Sequence, residues 1–121
     1  MSGINLSISD ADFRLLFPFH LVIDENSRII SCGESLFKAT RINLNEPFGK
    51  HFTVYRPHLE HPDFNSILEN KDGLFILRTK HEPVMQIRGQ WMKPEHNQGL
   101  LFVGSPWFNS LATIKEQGLA I

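Results

Sequence analysis

The chain is poor in the residues that carry most covalent and redox chemistry. Its single cysteine, Cys32, excludes an internal disulfide and fits a reducing, cytoplasmic compartment. Its eight glycines never fall into dinucleotide or Walker spacing, so no loop is built to cradle phosphates. There is no Gly-x-Ser-x-Gly elbow, and Cys32 sits in an apolar strand pattern with no neighbour in sequence that would form a thiolate. Neither sign of charge dominates: 12 Lys and Arg against 13 Asp and Glu leave −1. That balance gives no reason to expect nucleic acid or an anionic membrane as partner. No apolar run approaches the roughly 20 residues that span a bilayer. A basic segment followed by an apolar one is missing at the N-terminus, so no signal peptide is expected. Paired carboxylates fall only in turns and helix starts. Nothing in the sequence looks like an active site.

What is present is enough for one folded domain. A chain of 121 residues matches the usual domain size and buries roughly two thirds of its unfolded surface. The Met-Ser-Gly start fits a domain excised from a longer protein. Phenylalanine is over-used, 10 against one tyrosine and two tryptophans, and most of these rings are expected to fill a core.

The stretch from Phe17 to Glu34 organises the rest. It reads as an apolar strand, a polar turn over Asp24 to Ser27, and a second strand closed by Gly33. Pro18 has no amide hydrogen and disfavours helical angles at Phe17, so a preceding helix must stop there. That helix begins after Ser7 or Ser9, with Asp10 and Asp12 in its first turn and Phe13, Leu16 and Phe17 at helical spacing. It has about two turns, too few to be stable unless its apolar face docks on something.

After the hairpin, Ser35 to Ala39 reads as one or two helical turns. Arg41 to Tyr55 reads as loop with short helical turns, broken by Pro47 and Gly49. Pro62-Asp63 opens a helix with Phe64, Ile67 and Leu68 on one face. Leu74 to Thr79 is a strand. From Met85 to Trp91 apolar and polar residues alternate, the signature of a strand with one wet face. Leu100 to Ser105 is a third strand, and Phe108 to Glu116 a closing helix before Gly118. Two hairpin groups around a helical middle make an α+β domain with an antiparallel sheet. Gly89, inside a clean strand, marks either a bulge or a close approach by another group.

The six histidines are the best chemical candidates. His58-Leu59-Glu60-His61, with His51 nearby, offers imidazole and carboxylate, both zinc ligands. A structural zinc site wants four ligands at defined spacing. This set is irregular, so it reads as a polar connection, and no metal is expected. His20 reads as a core or edge residue bonded to backbone.

The order of several motifs resembles a known family. Phe17-Pro18-Phe19-His20 before Leu-Val-Ile-Asp looks like the opening of the haem-nitric-oxide-binding-associated domain. This PAS-like domain lies between haem sensor and output in soluble guanylate cyclases and some bacterial histidine kinases. Gly33-Glu34-Ser35-Leu36, His51-Phe52 leading to Arg56-Pro57, Phe64-x-x-Ile67-Leu68, Arg88-Gly89-Gln90, Leu101-Phe102-x-Gly104-Ser105-Pro106 and Gly118-Leu119 extend the likeness across nearly the whole chain. The resemblance implies a PAS-like sheet of five antiparallel strands with short helices on one face and an N-terminal helix. It implies a cytoplasmic module of 1–121 that pairs subunits, as a homodimer or as a heterodimer with a paralogue. The module would relay a nitric oxide or oxygen signal from the haem domain to a kinase or cyclase output, without catalysis or a cofactor of its own. The Tyr-x-Ser-x-Arg pattern of the haem domain is missing here.

Two sets of residues follow as expectations. Ile4, Leu6, Ile8, Phe13, Leu16 and Phe17 are the candidate dimer interface. Alternatively the domain senses a small molecule, with Phe37, Phe48, Phe52, Phe64 and Phe75 lining an apolar pocket.

Overall fold

The computed structural model describes residues 9–95 and 98–107. It begins with α1 (Asp10–Leu16), whose N-cap Ser9 accepts from the Asp12 amide through its hydroxyl. Cap and acidic first turn satisfy the free amides and suit the helix dipole. The helix ends at Phe17, as Pro18 requires. A turn over Phe17 to Phe19 follows, so the first strand starts only at Leu21. β1 (Leu21–Ile23) and β2 (Ile29–Cys32) pair antiparallel across the Asp24–Ser27 turn. The Asp24 carboxylate accepts from the Asn26 and Arg28 amides, which is the local chemistry that closes the turn.

Three short helices form the middle: α2 (Glu34–Thr40), α3 (Phe48–His51) and α4 (Phe64–Glu69). Arg41, at the end of α2, is left-handed at φ 57°. Asp63 caps α4 by accepting from the Ser66 amide. Between α3 and α4 lies β3 (Phe52–Arg56), followed after α4 by β4 (Phe75–Thr79), β5 (Gln86–Met92) and β6 (Leu100–Pro106). The expected closing helix over 108–116 falls outside the described residues.

The sheet is antiparallel, with order β2-β1-β6-β5-β4-β3. It has six strands where five were expected. The extra one is β3, in the stretch read as loop. Its register with β4 shifts between Val54 and Arg56, and only Phe52 is fully buried along it. Short, bulged and on the edge, it never shows the alternation that betrays a strand.

One face of the sheet meets α2, α3 and α4. Leu21, Ile23, Ile29, Phe52, Phe75, Leu77, Ile87, Trp91, Leu100 and Phe102 from the strands join Leu36, Ile42, Phe48, Phe64 and Ile67 in a single core. The alternation from Met85 to Trp91 is realised: Met85, Ile87 and Trp91 are buried and Arg88 and Gln90 face water. The opposite face carries Val22, Ile30, Leu101, Val103 and Met92 in half-buried or exposed positions. That leaves α1 as the one described helix without a buried residue.

Gly89 and Gly104 are register partners on β5 and β6. A Cβ on Gly89 would lie 2.2 Å from the Val103 carbonyl oxygen, and one on Gly104 would lie 2.5 Å from that of Arg88. Pairing runs without a shift through both neighbours of β5. The glycine pair therefore answers to a close approach of backbones and not to a bulge.

Candidate partner interface

The interface candidates converge on α1 and the joint after it. Phe13 and Phe17, one helical turn apart, bring their rings to 4.7 Å, and the Phe13 ring also meets His20 edge-on at 4.7 Å. The Arg14 Nε donates to the Cys32 carbonyl at 3.0 Å, tying the helix to the end of β2. His20 is fully buried. Its Nδ1 lies 2.9 Å from the Phe17 carbonyl, an acceptor only, so that nitrogen carries the hydrogen. Its Nε2 then accepts from the Ser31 hydroxyl at 2.8 Å. Burial pushes the His20 pKa below its usual value, with the Arg14 charge adding to the shift and the Phe17 hydrogen bond opposing it. The neutral imidazole is a hydrogen-bonded strut between joint and hairpin.

The joint is clamped from the other side by Gly33. Its amide donates to the His20 carbonyl and the Leu36 amide donates to the Pro18 carbonyl. A Cβ on Gly33 would meet the Pro18 carbonyl group at 2.3 Å and the Phe17 oxygen at 2.7 Å. Glycine is needed here because backbone occupies the space, since its φ of −65° suits any residue.

The outward side of α1 is apolar. Leu15 and Leu16 are 64% and 63% exposed, and Phe17 is 37% exposed. Of the expected interface residues, Phe13 is half-buried against His20 while Leu16 and Phe17 face solvent; Ile4, Leu6 and Ile8 lie outside the described residues. Leu15 was missed by the sequence reading because it falls off the spacing of Phe13, Leu16 and Phe17, and only the direction in which the helix docks reveals it. Between α1 and the outer sheet face runs a cleft of about 300 Å³, lined by Phe13, His20, Val22, Ile30, Pro94 and Leu101 among others. A second groove, about 530 Å³, follows β5 and β6 past Gly89, Met92, Val103 and Gly104. Apolar residues of α1 and of the outer sheet face thus border one another.

The expected pocket residues separate. Phe48 and Phe52 stack at 5.3 Å between centroids, and the Trp91 ring meets Phe48, Phe75 and Phe102 at 5.9, 6.3 and 5.2 Å. Phe48, Phe52 and Phe75 are fully buried and Phe64 nearly so. Phe37 points elsewhere, exposed beside Ile30 and Leu44. The Trp91 Nε1 is buried without a hydrogen-bond acceptor.

Histidine chemistry appears where the sequence showed no pattern. His51 on α3 is buried, and its Nε2 donates to Glu46 Oε1 at 2.9 Å, the ionised carboxylate being an acceptor only. Its Nδ1 lies 3.0 Å from the Nε2 of His81, on the turn between β4 and β5. Glu46 also accepts from Lys50 and from the Asn43 amide. Those hydrogen bonds, Lys50 first and His51 second, hold its carboxyl down to about 2. Thirty residues separate the two imidazoles, so no local motif announces them. Among the described residues, no group of three or more His, Cys, Asp or Glu is placed to hold a metal. Cys32 is buried and its thiol pushed up to about 12 by desolvation, so it is no nucleophile.

The arrangement is that of an α+β domain with a packed core and an apolar helix face turned to solvent beside an apolar sheet face. The family then follows from comparison with known proteins. The model of the Heme NO binding associated family matches residues 6–86, and the chain belongs to that family. It is 31% identical over 125 aligned residues to the soluble guanylate cyclase subunit alpha-2 of Rattus norvegicus, covering 95% of this chain and 17% of that protein. It is 28% identical to the rat soluble subunit beta-2, over 92% of this chain and 18% of the relative. It is 24% identical to the head-specific guanylate cyclase of Drosophila melanogaster, over 97% and 19%. The chain thus spans less than a fifth of these relatives' length. No helix among the described residues is long and apolar enough to cross a membrane.

Proposed function

We propose that this domain is a PAS-like, non-catalytic pairing and relay module of a cytoplasmic haem-based nitric oxide sensor. It would couple a haem sensor domain to an output that is a guanylate cyclase or a histidine kinase. The guanylate cyclase relatives favour the former. The partner is a second copy of the chain or a paralogous subunit. The observation that carries the reading is the solvent-facing apolar ridge of Leu15, Leu16 and Phe17 on a helix whose other side is docked. Leu16 and Phe17 belong to the interface expected from the sequence, with Phe13 and with Ile4, Leu6 and Ile8, which lie outside the described residues. A specific dimer buries about 1,200–2,000 Å² in total, and the ridge and the adjoining outer sheet face are the surfaces that would supply it. Signal would pass as a small rigid-body shift of the paired helices.

Sedimentation tests this. The chain should be a dimer at tens of micromolar, and Leu16→Glu should give a monomer with an unchanged circular dichroism spectrum, because Leu16 is not part of the core. A monomeric wild type would overturn the reading.

A second reading has one observation behind it. The unpartnered Trp91 Nε1 sits among Phe48, Phe75 and Phe102, and a small molecule bearing an acceptor would satisfy it once those packed rings parted. Native mass spectrometry of the purified protein decides the matter: a stoichiometric added mass supports it, and a bare chain speaks against it.

A further inference from the structure

Glu46, His51 and His81 form a row in which a carboxylate holds one imidazole and that imidazole faces another. A surface hydrogen bond would need none of this pre-arrangement. His51 is held inside the fold: it lies at the end of α3, is buried, and accepts the Lys80 amide on its backbone carbonyl at 2.9 Å. The Lys80 ammonium in turn donates to the Gly49 carbonyl at 2.5 Å. The turn carrying His81 is therefore fastened to the helix carrying His51 at two points besides the imidazole pair.

Tautomers follow from the partners. Glu46 takes the hydrogen on His51 Nε2, which leaves the lone pair of Nδ1 directed at His81. A carboxylate on the far nitrogen of an imidazole is the outer-shell support that orients metal-binding histidines and raises their basicity. The two facing nitrogens are 3.0 Å apart. Placed about 2.05 Å from each, a zinc-class ion would subtend an angle of about 95°, close to the cis angle of a six-coordinate ion. A tetrahedral ion would ask the nitrogens to part by a few tenths of an ångström. His81 is exposed and can tilt to supply that movement and converge its lone pair with that of His51.

We propose that His51 Nδ1 and His81 Nε2 form a two-point chelate for a first-row transition metal of the nickel, copper and zinc class, with Glu46 as the positioning residue on His51. The ion takes the place of the hydrogen that His81 Nε2 donates to His51 Nδ1; that hydrogen passes through solvent to Nδ1 of the same exposed ring, so both ligands bind as neutral imidazoles with no net loss of a proton, and water completes the coordination sphere on the His81 side. With two protein ligands the site is an exchangeable one, not a structural zinc of four closed ligands. Occupation would brace the β4–β5 turn against α3.

Isothermal titration of the 121-residue chain with Ni²⁺, Cu²⁺ or Zn²⁺ alone tests the assignment. One equivalent should bind per chain, with a rise in melting temperature. His81→Ala, on an exposed turn, should weaken binding at least tenfold while leaving the spectrum of the folded protein intact. Glu46→Gln should weaken it by about 10- to 100-fold with the stoichiometry kept. His58→Ala/His61→Ala should bind as wild type. Absence of binding at 100-micromolar-scale metal (about 0.1 mM) would overturn the proposal, as would binding unchanged in His81→Ala or lost in the His58/His61 variant.

Discussion

Gly33→Ala isolates the clamp on the joint, because two opposing effects can be sized against each other. Ordinarily glycine to alanine at a permitted φ stabilises by about 0.4–1 kcal/mol, since the unfolded chain loses freedom. Gly33 has such a φ, −65°. Against this stands the added Cβ, 2.3 Å from both carbon and oxygen of the Pro18 carbonyl and 2.7 Å from the Phe17 oxygen. All three are backbone atoms, so no rotamer change relieves the overlap. The turn must move away from α2, straining the bonds from Leu36 to Pro18 and from Gly33 to His20. Overpacking of this kind costs about 1–3 kcal/mol, and with immobile neighbours the upper half applies. The net is a loss of about 2 kcal/mol, or roughly 8 °C in melting temperature for a domain of this size. Gly49→Ala is the control of opposite sign. It lies inside α3 with nothing within 4 Å of the added Cβ, so it should gain about 0.5–1 kcal/mol. Urea unfolding at fixed protein concentration reads both. A Gly33→Ala protein as stable as wild type would refute the claim that backbone packing at the joint requires glycine.

Other outcomes follow from the same contacts. Arg14→Ala removes a charged donor from the Cys32 carbonyl and should cost about 1.5–3 kcal/mol at most, read as faster amide exchange in α1 with β5 and β6 unaffected. Burial keeps His20 neutral in the fold, so the native state binds fewer protons than the unfolded chain just below the usual histidine pKa. Stability from this group is complete above about pH 6.5 and falls as pH drops through that value toward the lowered folded pKa. Urea midpoints across pH 5–8 should show that slope, and His20→Gln should flatten it. Cys32, buried with its thiol pushed up to about 12, should stay unmodified by a thiol reagent at pH 8 until urea unfolds the chain; reaction at the rate of a free thiol would contradict its burial.

Much of this fold can be read from local chemistry. Ser9 with Asp12, the break at Phe17-Pro18, the Asp24 turn and the alternation from Met85 each rest on rules that span a few residues, and each appears where it was expected; the helix after Pro62 is also present, but it starts at Phe64 with Asp63 as its cap and Pro62 outside it. Features set by distant partners could not be read. β3 exists because β4 offers it an edge, and its bulge scrambles the pattern that would have shown it. Gly89 has meaning only through Gly104, fifteen residues on and across a strand pair. His51 looked like a neighbour of His58 and His61, yet its partner is His81. The phenylalanines were legible as core in number but not in place: Phe37 faces solvent on the outer side of α2, where the short helix turns it away from Phe48 and Phe52. Leu15 carried no signal at all, because helical spacing identifies an apolar stripe but not which side of it docks.

The docking of α1 bears on how such a module could pass a signal. A helix of seven residues is too short to hold itself, and its described anchors are few: the Phe13 ring on His20, Arg14 on the Cys32 carbonyl, and the Phe17 carbonyl on His20. Each anchor ends on β1, β2 or the segment entering β1. None reaches β3, β4 or β5. A displacement of α1 in a proposed dimer would therefore be felt first at the β1–β2 end of the sheet. From there a short route leads inward through Gly33 to α2, whose Leu36 is fully buried in the core, beside the direct one along β1 to β6. The lack of free space around Gly33 matters in this light: a joint with slack would absorb a small shift, whereas backbone packed against backbone transmits it. On the proposed reading, Gly33 variants that loosen or prise open the joint should uncouple the relay even where the dimer itself survives.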